Sequence, residues 1–170
     1  RKLIHELAGH RGRVLDVAIT RDGTLIVSAS ADATGRIWNA ATGVFVAPLL
    51  GHTNYVRKVD FSPDGLAVVT ASDDGTARTW SLAGRRFATL AGHDGPVVDA
   101  RFSPDSYSVL TGGADGTVRL WEAGTRPQLV AAELVAPEPA GTVATSDGAT
   151  ATAGGDVVRL ERDDGTSAEL

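Results

Sequence analysis

Apolar positions along this chain fall in runs that are too short, and too often interrupted, for anything but strands. In the stretch 55–90 the runs cover 55–61, 66–72, 76–80 and 86–90, and Val, Leu, Phe and Thr dominate them. Turn residues separate them: Ser62-Pro63-Asp64-Gly65, then Asp73-Asp74-Gly75, then Ala83-Gly84. Proline presets φ in such turns and glycine accepts positive φ. The same punctuation recurs at Thr20-Arg21-Asp22-Gly23 and Ser103-Pro104-Asp105-Ser106 for the first turn, and at Asp32-Ala33 and Asp115-Gly116 for the second. No window is free of Gly and Pro for long enough to support an amphipathic helix. The pattern predicts an all-β chain of four-stranded antiparallel units joined by tight hairpins.

The units repeat. Gly9-His10, Gly51-His52 and Gly92-His93 each precede a tryptophan, Trp38, Trp80 and Trp121, by 28 residues counted from the histidine. Successive histidines are 42 and 41 residues apart. A period in this range marks an architecture built blade by blade. The boundaries read from it are 9–50, 51–91 and 92–133 for three clear units and 134–170 for an eroded fourth. In that fourth unit Thr145-Ser146-Asp147-Gly148 resembles the first turn, and Gly154-Gly155-Asp156 echoes the second. Val158-Arg159-Leu160 copies Val118-Arg119-Leu120, but Glu161 stands where tryptophan is expected and no histidine falls in step. Thr152 and Asp156 keep the hydroxyl and turn positions, so this unit is expected to be the weakest and to fray first. The prolines of Ala136-Pro137-Glu138-Pro139-Ala140 predict a stiff, exposed connection before it. At the other end, residues 1–8, with 3–7 at their centre, precede the first Gly-His as 86–90 precede the third, which predicts an orphan outer strand of a preceding blade.

Gly-His, a strand ending in Phe-Ser-Pro-Asp-Gly, then Thr-Ala-Ser-Asp-Asp-Gly-Thr and a strand ending in Trp together resemble the WD-repeat family of β-propellers. The resemblance is strong from Leu3 to Trp121 and weak from Glu133 onward. It implies a fold of about four propeller blades plus the orphan strand. It also implies a hydrogen-bonded chain inside each blade, from Trp to a hydroxyl, to His, to the turn Asp. The resemblance puts the hydroxyl four residues before Asp, at Ser28, Thr70 and Thr111; two before would give Ser30, Ser72 and Gly113, and the glycine breaks the set. The implied tetrads are His10–Ser28–Asp32–Trp38, His52–Thr70–Asp74–Trp80 and His93–Thr111–Asp115–Trp121. Indole N–H would donate to hydroxyl, hydroxyl to imidazole and imidazole to carboxylate.

Composition narrows the function. The 170 residues are 42% hydrophobic and 22% charged with net charge −5, which places them with globular proteins and argues against sequence-independent nucleic-acid binding. There is no cysteine, so disulfide, thiolate-metal and cysteine-nucleophile chemistry is excluded. No apolar run is long enough to span a bilayer and the start lacks a secretory leader, so a cytoplasmic location is expected. With no methionine, the chain is expected to be a fragment, a processed chain or an excised domain. Arginine far outnumbers lysine, and with high Ala and Gly this points to a GC-rich bacterial genome.

Sets of His, Asp and Ser invite a catalytic-triad reading, but three copies at fixed spacing serve structure rather than catalysis. Histidines on separate blades cannot share one metal ion. Asp73-Asp74 and Asp163-Asp164 read as turn residues with solvated carboxylates, and no glycine pair is followed by a phosphate-loop lysine. No catalytic residue, metal or cofactor is therefore expected. Partners in this family dock on the face built by the Gly-His loops, the starts of strand one and the turn after strand two. By position that face holds Leu15, Arg57 and Val98 nearest the channel, then Asp16, Lys58 and Asp99, with Ala31, Asp73 and Ala114 before the turn Asp. Tyr55 with Arg57 and Lys58 is its richest patch, suited to an acidic peptide or phosphopeptide. The reading is a non-enzymatic scaffold for a protein or peptide partner. The alternatives are a sensor module of a larger NTPase or kinase, or an enzyme in its own right. Four blades without closure would expose stacking faces, so further blades or self-association are expected to complete the ring.

Overall fold

The computed structural model describes residues 2–124 in full and, beyond them, only the strand backbone of a fourth sheet between 142 and 169. Every element among the described residues is a strand. The first sheet is a meander of β1 (Val14–Ile19), β2 (Leu25–Ser30), β3 (Gly35–Asn39) and β4 (Phe45–Leu49). The second is β5 (Val56–Phe61), β6 (Ala67–Ser72), β7 (Thr76–Ser81) and β8 (Arg86–Ala91). The third holds β9 (Val97–Phe102), β10 (Ser108–Gly113) and β11 (Val118–Glu122). All pairings are antiparallel. A second compact unit, 128–170, carries β12 (Thr142–Ala144), β13 (Thr150–Gly154), β14 (Val157–Glu161) and β15 (Ser167–Glu169), again in meander order. The expected outer strand of the third sheet, the 136–140 proline segment, the 145–148 turn, Gly155, Asp156 and Asp163-Asp164 lie outside the described residues, as do the side chains of Thr152 and Glu161.

The hairpins form where turn chemistry put them. Gly23, Gly65, Gly75, Gly84 and Gly116 all take φ between 71° and 82°. Ala33 and Ser106 adopt the same left-handed conformation, φ 67° and 68°, at positions where a sister repeat has glycine. Each first turn is fastened by its own hydroxyl: Ser62 Oγ donates to Asp64 Oδ1 at 2.5 Å and accepts the Ala67 N–H at 2.9 Å, and Thr20 and Ser103 repeat the device.

Alternation along each strand sends one set of side chains to each neighbouring sheet. Val27, Ala29, Ile37 and Leu49 of the first sheet meet Val59, Phe61, Val68 and Trp80 of the second in one buried cluster. Val69, Ala71, Ala77 and Leu90 of the second meet Val97, Ala100, Val109 and Ala123 in another. The core therefore lies between sheets rather than within one, and each large side chain there contributes about 1.5–3 kcal/mol by leaving water. Thr79 adds a hydrogen bond across the second interface, its Oγ1 donating to Ala123 O at 2.8 Å.

One expectation fails. Residues 3–7 form no strand. A strand exists by virtue of its ladder, and among the described residues nothing pairs with this segment. It nevertheless lies where an outer strand would. A Cβ on Gly43, in the last turn of the first sheet, would stand 3.0 Å from His5. A Cβ on Gly84 would stand 3.5 Å from Ala47 of β4, and one on Gly124 would stand 2.8 Å from Ala88 of β8. His5 Nε2 lies 2.8 Å from Ala41 O, which anchors the segment by a side chain in place of a ladder.

Candidate functional site

Each of the first three sheets carries one connected polar chain, and the second sheet shows its logic best. The Trp80 indole N–H donates to Thr70 Oγ1 at 2.9 Å, His52 Nε2 lies 2.7 Å from the same oxygen, and His52 Nδ1 lies 2.7 Å from Asp74 Oδ2. A ring nitrogen facing a carboxylate must carry the proton, so Nδ1 donates and Nε2 accepts from the threonine hydroxyl. Trp38, Ser28, His10 and Asp32 make the same chain at 2.9, 2.8 and 2.9 Å. Trp121, Thr111, His93 and Asp115 make it at 2.8, 2.8 and 2.9 Å. These side chains are buried or half-buried. Burial lowers the His52 pKa by penalising the imidazolium, more than the neighbouring Asp74 raises it. Burial works to raise the Asp74 pKa, but hydrogen bonds from Thr76 and His52 prevail and bring it down to about 2. Asp32 moves the same way, with bonds from Thr34, the Arg11 N–H and His10 overcoming burial.

Two residue types in this network were not singled out in the sequence, although the repeat displays them. Thr34, Thr76 and Thr117, two after the aspartate, donate through Oγ1 to its Oδ1 at 2.6, 2.6 and 2.8 Å. Arg36, Arg78 and Arg119, four after it, lie against the glycine of each Gly-His pair. A Cβ on Gly9, Gly51 or Gly92 would sit 2.6–2.7 Å from the arginine NH1, and all three glycines hold positive φ. The glycine is thus required by the approach of a guanidinium as well as by its backbone. Counting intervals from aspartate as well as from histidine would have found both types.

These chains use their chemistry internally. Among the described residues no group of three His, Cys, Asp or Glu is placed to hold a metal ion. Asp73 and Asp74 are not the solvated pair expected. Asp74 belongs to the tetrad, and Asp73 pairs with Arg57 through two hydrogen bonds, one of them from NH2 at 2.8 Å.

The expected partner-facing residues share a backbone device. Pairing slips by one residue between Val14 and Asp16, between Val56 and Lys58, and opposite Gly112 and Gly113, which leaves Leu15, Arg57 and Val98 as the extra residues of three bulges. A bulge re-aims its side chain out of the ladder. The following turn is tied back to each bulge: Ala31 N–H donates to Arg13 O, Asp73 N–H to Tyr55 O and Ala114 N–H to Pro96 O, at 2.8–3.0 Å. Leu15, Tyr55 and Val98 are 37%, 44% and 45% exposed. The cations are not free: besides the Arg57–Asp73 pair, Lys58 Nζ lies 3.3 Å from Asp16 Oδ1, whose other oxygen takes the Val59 N–H. Asp99 pairs with Arg101 at 3.5 Å. The patch is mixed in charge, not cationic.

Comparison with known proteins follows the same lines. A family model described as WD domain, G-beta repeat matches residues 1–39, 43–81 and 84–122. WD repeat-containing protein 36 of Homo sapiens is 35% identical over 46 residues, 27% of this chain and 5% of that protein. The solved structure of U3-55K shares the fold with a TM-score of 0.65 at 19% identity, over 96% of this chain and 53% of that one. This chain thus spans a small part of the first and about half of the second. Among the described residues no helix is long and apolar enough to cross a membrane.

Proposed function

Because the chain belongs to the WD-repeat family, we propose that it works as a non-enzymatic scaffold that holds a protein or peptide partner against the bulge face of its sheets. The observation that carries this reading is the threefold bulge. Leu15, Arg57 and Val98 leave the ladder at the same place in three successive sheets, with Tyr55 beside them, and each is braced by the turn behind it. Leu15, Tyr55 and Val98 supply apolar and aromatic surface, and Asp16, Lys58, Asp73 and Asp99 frame it with paired charges. That composition favours a partner with an apolar or aromatic anchor over a purely acidic peptide, which would have to displace Asp73 from Arg57. A cytoplasmic setting, and further blades or a second copy beside the outer sheets, belong to the same proposal. The test is affinity capture of a partner by the chain, repeated with Tyr55→Ala and Arg57→Glu after circular dichroism has shown both folded. Capture should fall about tenfold or more in each, the usual scale for a hot-spot residue. Undiminished capture by both variants would overturn the reading.

A further inference from the structure

The three Gly-His arginines are alike in sequence but unlike in company. Arg36 lies 5.5 Å from the centroid of the Phe45 ring and 5.9 Å from that of Trp38, so its charge rests on aromatic faces. In the second sheet the residue paired with Trp80, as Phe45 is with Trp38, is Arg86. A cation thus stands where the first sheet has a ring. The NH1 atoms of Arg78 and Arg86 lie 2.7 and 3.9 Å from the point where a Cβ of Gly51 would be, so the two guanidiniums meet beside the bare Cα of Gly51, where no side chain separates them.

One carboxylate, Asp74, stands against the two charges, 3.5 Å from Arg78 NH2. Arg78 is 8% exposed and its NH1 is buried without a hydrogen-bond partner, while Nε and NH2 reach Thr76 and Asp74 only at 3.4 and 3.5 Å. Asp74 is already saturated: Oδ1 accepts from the N–H and hydroxyl of Thr76, and Oδ2 from His52 and the Thr53 N–H. Among the described residues Arg86 has no carboxylate within ion-pair distance. Burial lowers the pKa of Arg78 most; Asp74 works to raise it and the neighbouring Arg86 to lower it further. Gly51 and Arg86 are both exposed, and Arg86 is a long side chain that can swing aside from the buried Arg78 NH1 to admit a ligand.

We propose that Arg78 and Arg86 form a phosphate-binding site at Gly51. Arg78 is the fixed donor and Arg86 the arm that closes. Two guanidinium charges, always protonated at neutral pH, match a phosphate group, which carries about −1.5 to −2 there, and the guanidinium fork suits its oxygens. The site is separate from the bulge face and does not depend on the scaffold reading.

The test is titration of the full chain with inorganic phosphate at constant ionic strength, followed by calorimetry, with chloride and acetate as controls. Saturable phosphate binding that neither control reproduces is expected. Arg86→Phe, which installs the residue of the first sheet, should weaken it about tenfold or more, the scale of a lost charge-assisted hydrogen bond, with the melting curve in chloride preserved. Arg85→Gln removes an adjacent charge that has no part in the site and should leave the affinity unchanged. A phosphoserine peptide and its unphosphorylated form identify the source: tighter binding of the phosphopeptide assigns the site to a phosphorylated chain, equal binding to free phosphate, and either supports it. Wild-type binding no stronger than that of acetate, full affinity in Arg86→Phe, or an equal loss in Arg85→Gln would overturn it.

Discussion

Val69 of β6 and Leu110 of β10 stand at the same place in their repeats, 17 residues after His52 and His93, and both point away from the preceding sheet. Val69 is 0% exposed and Leu110 is 47%. Ten residues further on, Thr79 is 0% exposed and Leu120 is 70%. The more apolar residue is the more exposed one in each pair. What differs is the neighbour: the second sheet is covered on both sides, by the first and the third, and every residue of β6 is buried. The first sheet shows the mirror image, with Val17 and Ile19 exposed where Val59 and Phe61, their counterparts, are buried. Side-chain chemistry makes a strand able to be buried; a neighbouring sheet decides whether it is.

The comparison can be broken most forcefully at the tryptophans. Trp80 is 1% exposed and sits in the interface cluster, whereas Trp121 is half-buried. Trp80→Ala should cost about 3–5 kcal/mol and Trp121→Ala distinctly less, both read from urea denaturation. An unchanged melting temperature for Trp80→Ala, or equal losses for the two, would show that the neighbour does not matter. A gentler probe is Val69→Ala beside Leu110→Ala. The first should lose about 1–3 kcal/mol, and the second, although it deletes more carbon, within about 0.5 kcal/mol of nothing. If the two losses come out in the opposite order, the exposed face of the third sheet is covered in solution.

The smallest effect comes from acid and again bears on the middle sheet. His52 has its folded-state pKa pushed below the ordinary 6.5, so the unfolded chain takes the proton more readily. Its contribution to stability is complete above that pH and drains away as the pH falls below it. Asp74, lowered from 3.8 to about 2, adds a second decline as the pH falls through that interval. Urea midpoints should therefore slip between about pH 7 and pH 5 and slip again below about pH 4. A His52 ring that NMR titration finds protonated as readily as an imidazole in water would contradict the first decline.

Much of the fold lies open in the sequence because the interactions that make it are local and periodic. Hairpins close through residues two to five apart, as Ser62 does with Asp64 and Ala67, and turn types can be read in a row of letters. The segment 3–7 resisted that reading because a strand's pattern does not supply its ladder. Within the polar chains, Thr76 and Arg78 were as periodic as His52 but carry no expectation of their own until their partners are seen.

The one-dimensional text therefore determined the meander, its turns, its period and the family, since each depends on residues close along the chain or on a repeat that counting reveals. Tertiary structure alone decided which faces are covered, that Arg57 and Lys58 are bound to Asp73 and Asp16, and that Arg78 and Arg86 converge on Gly51. Those outcomes depend on distances across strands and sheets, and burial and charge act through space rather than along the backbone.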